Sequence, residues 1–303
     1  MPTSLTATES RSDRRVQSWL ATGALALSGV FWGTGFYFGK VAFAEMSVTQ
    51  DVAWRFIFGS ALLIPILVRS RMRYSRSDLG LIVLASAIGV PLQFLVQFKG
   101  LQLTTVSHAS LMVGTLPMLL AFSSVLVLHE HLSGVEWLVL LASALGAMLI
   151  AISSSASNGP RASLRGDLLV LVSMLAAVVM ILISKRLMER HPPLEVTAVI
   201  IILGTVFLLI WTLGTQGLQF HFSRTVWIAA VAQGALATAF AYLFWNWGLA
   251  RVPASRAGVF LNLEPVVGTA MGIALLGERL GVAAIFGGAM ILASAVYFSR
   301  RNG

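Results

Sequence analysis

Apolar runs of about 18 to 25 residues, each long enough to cross the roughly 30 Å hydrocarbon core of a bilayer as a helix, follow one another from Trp19 almost to the C-terminus. Only helices and closed barrels satisfy every backbone group in lipid, and these runs lack the alternation of a barrel strand. Composition agrees, with 57% of the 303 residues apolar and 11% charged, against about a quarter charged in a soluble domain. The expected fold class is an all-α membrane protein of ten transmembrane helices. Their spans are Trp19 to Ala44, Val52 to Val68, Leu79 to Gly100, Ser107 to Leu128, Val135 to Ile152, Asp167 to Leu187, Leu194 to Leu213, Val226 to Leu249, Pro253 to Leu276 and Val282 to Phe298. Residues 1–18 form a polar tail. The run that follows is too long for a signal peptide and lacks a small-residue cleavage site, so it is expected to be retained as the first span.

Lys and Arg concentrate in cytoplasmic loops. With the N-terminus inside, the inner segments hold Arg11, Arg14 and Arg15, then Arg69, Arg71, Arg73 and Arg76, then Lys185, Arg186 and Arg190, then Arg251 and Arg256, then Arg300 and Arg301. The outer segments keep only Lys40, Lys99, Arg161, Arg165, Arg224 and Arg279. Both termini are therefore expected in the cytoplasm, as an even number of spans requires.

Residues 153–166, opening SSSASNGPRASLR, have the composition of a linker and divide the chain into a first half, 19–152, and a second, 167–303. At an offset of 148 residues, Gly100, Ser107, Ala109 and Pro117 fall on Gly248, Ser255, Ala257 and Pro265, and HEHL at 129–132 falls on GERL at 277–280. Two repeats of five spans each must enter the membrane in opposite senses. Such inverted repeats typify secondary transporters, whose halves enclose a central cavity near the midplane.

Several functions are excluded or disfavoured by what the chain lacks. No Gly-rich loop ends in Gly-Lys-Ser/Thr, which rules out ATP hydrolysis within the chain, and there is no HExxH. No Ser-His-acid set converges, so an enzyme is not expected. The net charge of +9 lies mostly between apolar runs rather than in a basic patch interleaved with aromatics, so no nucleic-acid partner is expected. Without cysteine, disulfides, thiolate catalysis and Cys-ligated metals are impossible. His129 and His131 flank Glu130 in a turn that reads as capped and solvated rather than metal-binding. No cofactor and no metal are expected.

Polar groups inside a span normally face the bundle interior or a cavity. Glu264 is the only acid far inside an apolar run and directly precedes Pro265, whose missing N–H loosens the helix. It reads either as a protonatable or cation-pairing group at a solute site or as a structural carboxyl satisfied by a neighbouring helix. Arg256, Phe260 and Glu264 share a helical face, and the repeat offset maps them onto His108, Met112 and Leu116. These faces are expected to be paired cavity walls, or, for Met112 and Phe260, plain core packing. Gln93 and Gln97 put amides on one face of the third span. In the eighth, Trp245 with Tyr242 and Asn246 holds the corresponding place, and Trp32, Phe36 and Lys40 form a stripe in the first. The expected substrate-binding residues are Trp32, Phe36, Gln93, Gln97, His108, Met112, Tyr242, Trp245, Asn246, Phe260 and Glu264. Aromatics with a few amides suit a solute having an apolar ring and a polar head. Arg55 either snorkels to the interface or pairs with Asp51 one turn earlier. Gly29 with Gly33, Gly35 with Gly39 and Gly268 with Gly272 permit close helix approach.

The opening FWGTGFYFGK, the stretch GLQLTTVSHASLMVGTLP, its partner GLARVPASRAGVFLNLEPVVG and the closing GERLGVAAIFGGAMILASA resemble the drug/metabolite transporter superfamily, specifically its EamA-type members. Taken whole, the chain also resembles the bacterial inner-membrane exporters of aromatic amino acids in that family. The first half departs from the pattern at His129 and His131, where the family commonly shows Gly and a basic residue. The resemblance implies ten spans around a central cavity, lined mainly by spans one, three, four, six, eight and nine, and export of small amphipathic metabolites from the cytoplasm. Its substrates would be aromatic and other apolar amino acids. The rival is a nucleotide sugar, sugar phosphate or drug carried by the same fold. Phosphate would want several Lys or Arg in the cavity, whereas Lys40, Lys99 and Arg256 lie near span edges.

Overall fold

A computed structural model describes residues 11–70, 73–103, 112–153, 163–276 and 282–302, and every regular element among them is helical. Helix α1 runs Arg11–Ala42 and α2 Val48–Arg69. The third rod joins α3 (Arg76–Ala87) through a π-helical stretch, Ile88–Leu92, to α4 (Gln93–Leu103). Then come α5 (Leu116–Val127), α6 (Gly134–Ser153), α7 (Leu164–Met188) and α8 (Pro193–Thr215). The next rod repeats the design of the third, with α9 (Arg224–Ala232), a π-helical stretch Gln233–Phe240, and α10 (Ala241–Leu249). After a short α11 (Ala254–Ala257), a 3₁₀ stretch Gly258–Asn262 leads into α12 (Leu263–Leu276), and α13 (Val282–Asn302) ends the chain.

Local chemistry sets these boundaries. Ser47, Ser75, Ser163 and Ser223 cap α2, α3, α7 and α9, each hydroxyl accepting the backbone N–H three residues on. Pro117 sits at the start of α5, where the missing N–H costs no helical hydrogen bond, and Pro265 lies where the 3₁₀ stretch passes into α12. Pro91 lies within the first π-helical stretch, whose wider turn accommodates the lost bond, while the second contains no proline.

Among the described residues five rods are long and apolar enough to cross a membrane: Val48–Arg69, Arg76–Gly100, Leu164–Met188, Pro193–Thr215 and Arg224–Leu249. Leu116–Val127 and Gly134–Leu149 are shorter apolar helices. Their outer faces expose Leu62, Ile64 and Val68 on α2, Leu138, Leu141 and Leu145 on α6, and Ile210, Trp211 and Leu213 on α8. So much exposed apolar surface suits lipid rather than water.

Glycine lets the rods approach backbone to backbone. A Cβ on Gly59 of α2 would stand 2.6 Å from Thr238 Cγ2 and 3.0 Å from the Gly234 carbonyl. On Gly204 of α8 it would meet Val90 Cγ2 at 2.5 Å and the Ser86 carbonyl at 2.9 Å. Gly248 likewise seats Leu25 Cγ at 2.7 Å and the Ala21 carbonyl at 2.8 Å, and Gly100 seats Val170 Cγ2 at 2.7 Å and the Gly166 carbonyl at 2.8 Å. Between α2 and α8 the hydroxyls of Ser60 and Thr205, 145 residues apart, meet directly at 2.7 Å.

Polar ties collect at the two ends of the bundle. At one end Glu130 accepts the N–H groups of Ala254 and Ser255, each at 2.8 Å, and pairs with Lys185 at 3.8 Å. Lys185 also donates to the carbonyls of Leu249 and Val252, at 3.0 and 2.6 Å. Arg256 and Arg301 pair with Glu136, Arg190 and His191 with Asp78, and Ser70 with Glu195. His129, with φ of 54°, ends α5 in the left-handed conformation, so this turn is held as a cap with Glu130 as its anchor. At the other end Gln50 bridges Gly217 and Gln219, Trp54 Nε1 donates to the Gln219 carbonyl, and Glu45 accepts the Ser223 N–H at 2.7 Å. The Ser223 hydroxyl and amide hold the Glu45 carboxyl below the usual carboxylate range.

Candidate functional site

Aromatic and charged side chains converge where α1 packs against the second π-helical stretch, α10 and α12, with α2 lying on the same π-helical stretch. Gly29 and Gly33 bring α1 onto the 3₁₀ stretch and α12, for a Cβ on Gly33 would stand 2.8 Å from the Glu264 carbonyl, and one on Gly29 would overlap the Phe260 carbonyl. Gly35 and Gly39 fit α1 against the second π-helical stretch, with Ala237 Cβ and Gln233 Nε2 each 3.1 Å from the built Cβ. The glycine pairs of α1 therefore serve close packing. Trp32 of α1 meets Tyr242 edge-on with centroids 5.3 Å apart and Trp245 at 5.5 Å. Tyr242, Trp245 and Phe260 are all buried, and Trp245 Nε1 has no hydrogen-bond partner among the described residues.

Arg55 enters this assembly from α2. It neither snorkels nor forms an ion pair with Asp51. Its Nε donates to Thr238 Oγ1 and its Nη2 to the Ala237 carbonyl, both at 2.8 Å. Its guanidinium carbon lies 5.2 Å from the Phe94 ring centroid and 5.6 Å from that of Phe56, within cation–π reach. The side chain is 8% exposed. Asp51, Tyr242 and Glu264 lie within its electrostatic reach. Asp51 sits in the first turn of α2, where the helix N-terminus favours a negative charge. Gln233 faces it while donating to the Gly35 carbonyl at 3.2 Å.

The expected site residues divide accordingly. Trp32, Tyr242, Trp245, Phe260 and Glu264 are brought together. Asn246 turns its amide to Thr197 Oγ1 at 2.8 Å, tying α10 to α8. Gln93 is buried with Oε1 lacking a partner, and Gln97 is half-buried. Met112 is half-buried just ahead of α5. His108 lies outside the described residues, as does the side chain of Phe36. Arg256 does not share a face with Glu264, because the 3₁₀ stretch between them advances about 120° per residue rather than 100°. It reaches Glu136 at 2.7 Å instead.

A family model described as the EamA-like transporter family matches residues 19–152 and again 164–300. The chain belongs to the EamA-like transporter family. This EamA chain is similar to the uncharacterized transporter YyaM of Bacillus subtilis, 23% identical over 273 residues that cover 87% of this chain and 88% of the relative. An uncharacterized transporter of Archaeoglobus fulgidus is 29% identical over 276 residues, covering 90% and 94%. A solved crystal structure shares the fold with a TM-score of 0.78, covering 96% of this chain and 99% of its own at 19% identity. The EamA chain is thus a multi-pass membrane transporter of small molecules, not an enzyme.

Proposed function

We propose that this transporter exports small amphipathic metabolites, foremost aromatic and other apolar amino acids, by alternating access between two inverted five-helix halves around a central cavity. The reading of the halves is supported by contacts that recur in reciprocal form. Gly59 with Thr238 and Gly234 corresponds to Gly204 with Val90 and Ser86, and Gly248 with Ala21 and Leu25 corresponds to Gly100 with Gly166 and Val170. Each pair maps by an offset of 145 residues in the first two rods of a half and 148 in the later ones. Under this mapping Ser60 and Thr205 are counterparts that touch one another, as residues on a two-fold axis must. The two matches to the family model divide the chain at the same place. An odd number of spans per half turns the second over.

The observation that carries the solute reading is the meeting of Trp32, Tyr242 and Trp245 with Arg55 and Glu264 at the junction of the halves. With Phe36, Gln93, Gln97, His108, Met112, Asn246 and Phe260 they make up the proposed cavity lining. Several cations are what a phosphorylated solute would require, and here one guanidinium faces two carboxylates. The end of the bundle holding Lys185, Arg190, Arg256 and Arg301 is the more basic, which favours its placement on the cytoplasmic side of a bacterial inner membrane with both termini. Liposomes bearing the purified protein are expected to take up labelled phenylalanine and tryptophan. Accumulation of a sugar phosphate alone would overturn the choice of substrate.

A further inference from the structure

Arg55 and Glu264 attract each other and do not meet. The Arg55 guanidinium spends two donor directions on Thr238 and Ala237, and among the described residues no carboxylate comes within the 4.0 Å of an ion pair. Among the described residues no hydrogen bond or ion pair reaches the Glu264 carboxyl either. A guanidinium buried in a membrane bundle without an anion at contact distance is costly, and the same holds for a carboxylate without a donor. Tyr242 stands in the field of both charges, and beside it Trp245 Nε1 is buried without a partner among the described residues. Tyr242 in turn packs on Trp32, and Trp32 on Trp245, so an aromatic cluster reaches the neighbourhood of the two charges through Tyr242.

We propose that the gap between Arg55 and Glu264 is a zwitterion site, in which Arg55 receives the carboxylate of the solute and Glu264 its ammonium while the aromatic wall holds the side chain. This rests on the exporter reading above and assigns a substrate contact to the second span. The charge balance selects the ligand. A zwitterion adds no net charge to the buried set of Asp51, Glu264 and Arg55, whereas a monocarboxylate or a phosphate does. Thr238 acts as a positioning residue, since its hydroxyl fixes the guanidinium by Nε.

Liposomes containing the wild-type protein provide the test, with counterflow of labelled phenylalanine competed by phenylalanine methyl ester, which lacks the carboxylate, and by 3-phenylpropionate, which lacks the ammonium. Both analogues are expected to compete at least about tenfold less well than phenylalanine, as each forgoes one charge-assisted contact. Arg55→Gln is expected to erase the discrimination against the ester, and Glu264→Gln that against phenylpropionate. Thr238→Val should raise KM for phenylalanine without changing the ranking against phenylpropionate. Equal competition by ester and amino acid in the wild type overturns the proposal even if Arg55→Gln does not fold, as does unchanged discrimination in a folded Arg55→Gln. Phenylalanine transport with either result leaves the exporter reading standing, whereas no counterflow of any aromatic solute removes that reading itself.

Discussion

Arg55 and Glu264 show what a single charge costs and does within an apolar span. Arg55 lies seven residues into α2, about 10 Å below its start at 1.5 Å per residue. Snorkelling from that depth would strain even a long side chain, and the bonds to Thr238 and Ala237 draw it inward instead. Glu264 has no such partner and is half-buried. A carboxyl so placed can exchange a proton as the solute leaves. If the proposed exporter is driven by a pH gradient, Glu264→Gln is expected to abolish that dependence, while exchange of labelled phenylalanine persists at saturating concentration with reduced affinity. Initial rates measured with and without an imposed gradient check this, and an unchanged gradient dependence rejects the role.

At the scale of elements, the two interrupted rods decide how the helices fit. The π-helical stretches at Ile88–Leu92 and Gln233–Phe240 sit where α8 and α2 come closest, against Gly204 and Gly59. Adding a methyl group there forces the rods apart, and overpacking of this kind costs about 1 to 3 kcal/mol. Gly59→Ala and Gly204→Ala are each expected to lower the Tm of the detergent-solubilised protein. Gly23→Ala, where a Cβ meets nothing within 4 Å, should not. Gly59→Ala should also impair transport, because it displaces the same stretch that holds Arg55. Pro91 lies within the first interruption, whereas the second has no proline and is visible only in the folded chain.

For the whole molecule, the ties among Glu130, Lys185 and the turn from Leu249 to Ser255 close one end of the bundle. Ala21 near the start of α1 packs on Gly248 at this end, and Arg301 near the end of α13 joins Arg256 on Glu136. Tags at Met1 and Gly303 are accordingly expected on one side of the membrane. Protease protection in inverted and right-side-out vesicles reads this directly, and tags on opposite sides would contradict the proposed inverted halves.

Run length and composition were enough to establish a helical membrane protein, since burying backbone in lipid leaves few alternatives and the apolar runs state it residue by residue. The proposed repeat rests, in the sequence, on Gly100, Gly248, Pro117 and Pro265, because small residues and prolines mark positions that backbone geometry dictates. The role of Arg55 was not legible, nor was the removal of Arg256 from the face of Glu264. The first depends on a partner 183 residues away, and the second on a change of helical pitch at Gly258–Asn262. Local sequence gives the direction of a side chain only along a regular helix. Which helix it then meets, and whether that helix keeps its pitch, is settled by packing among all the rods.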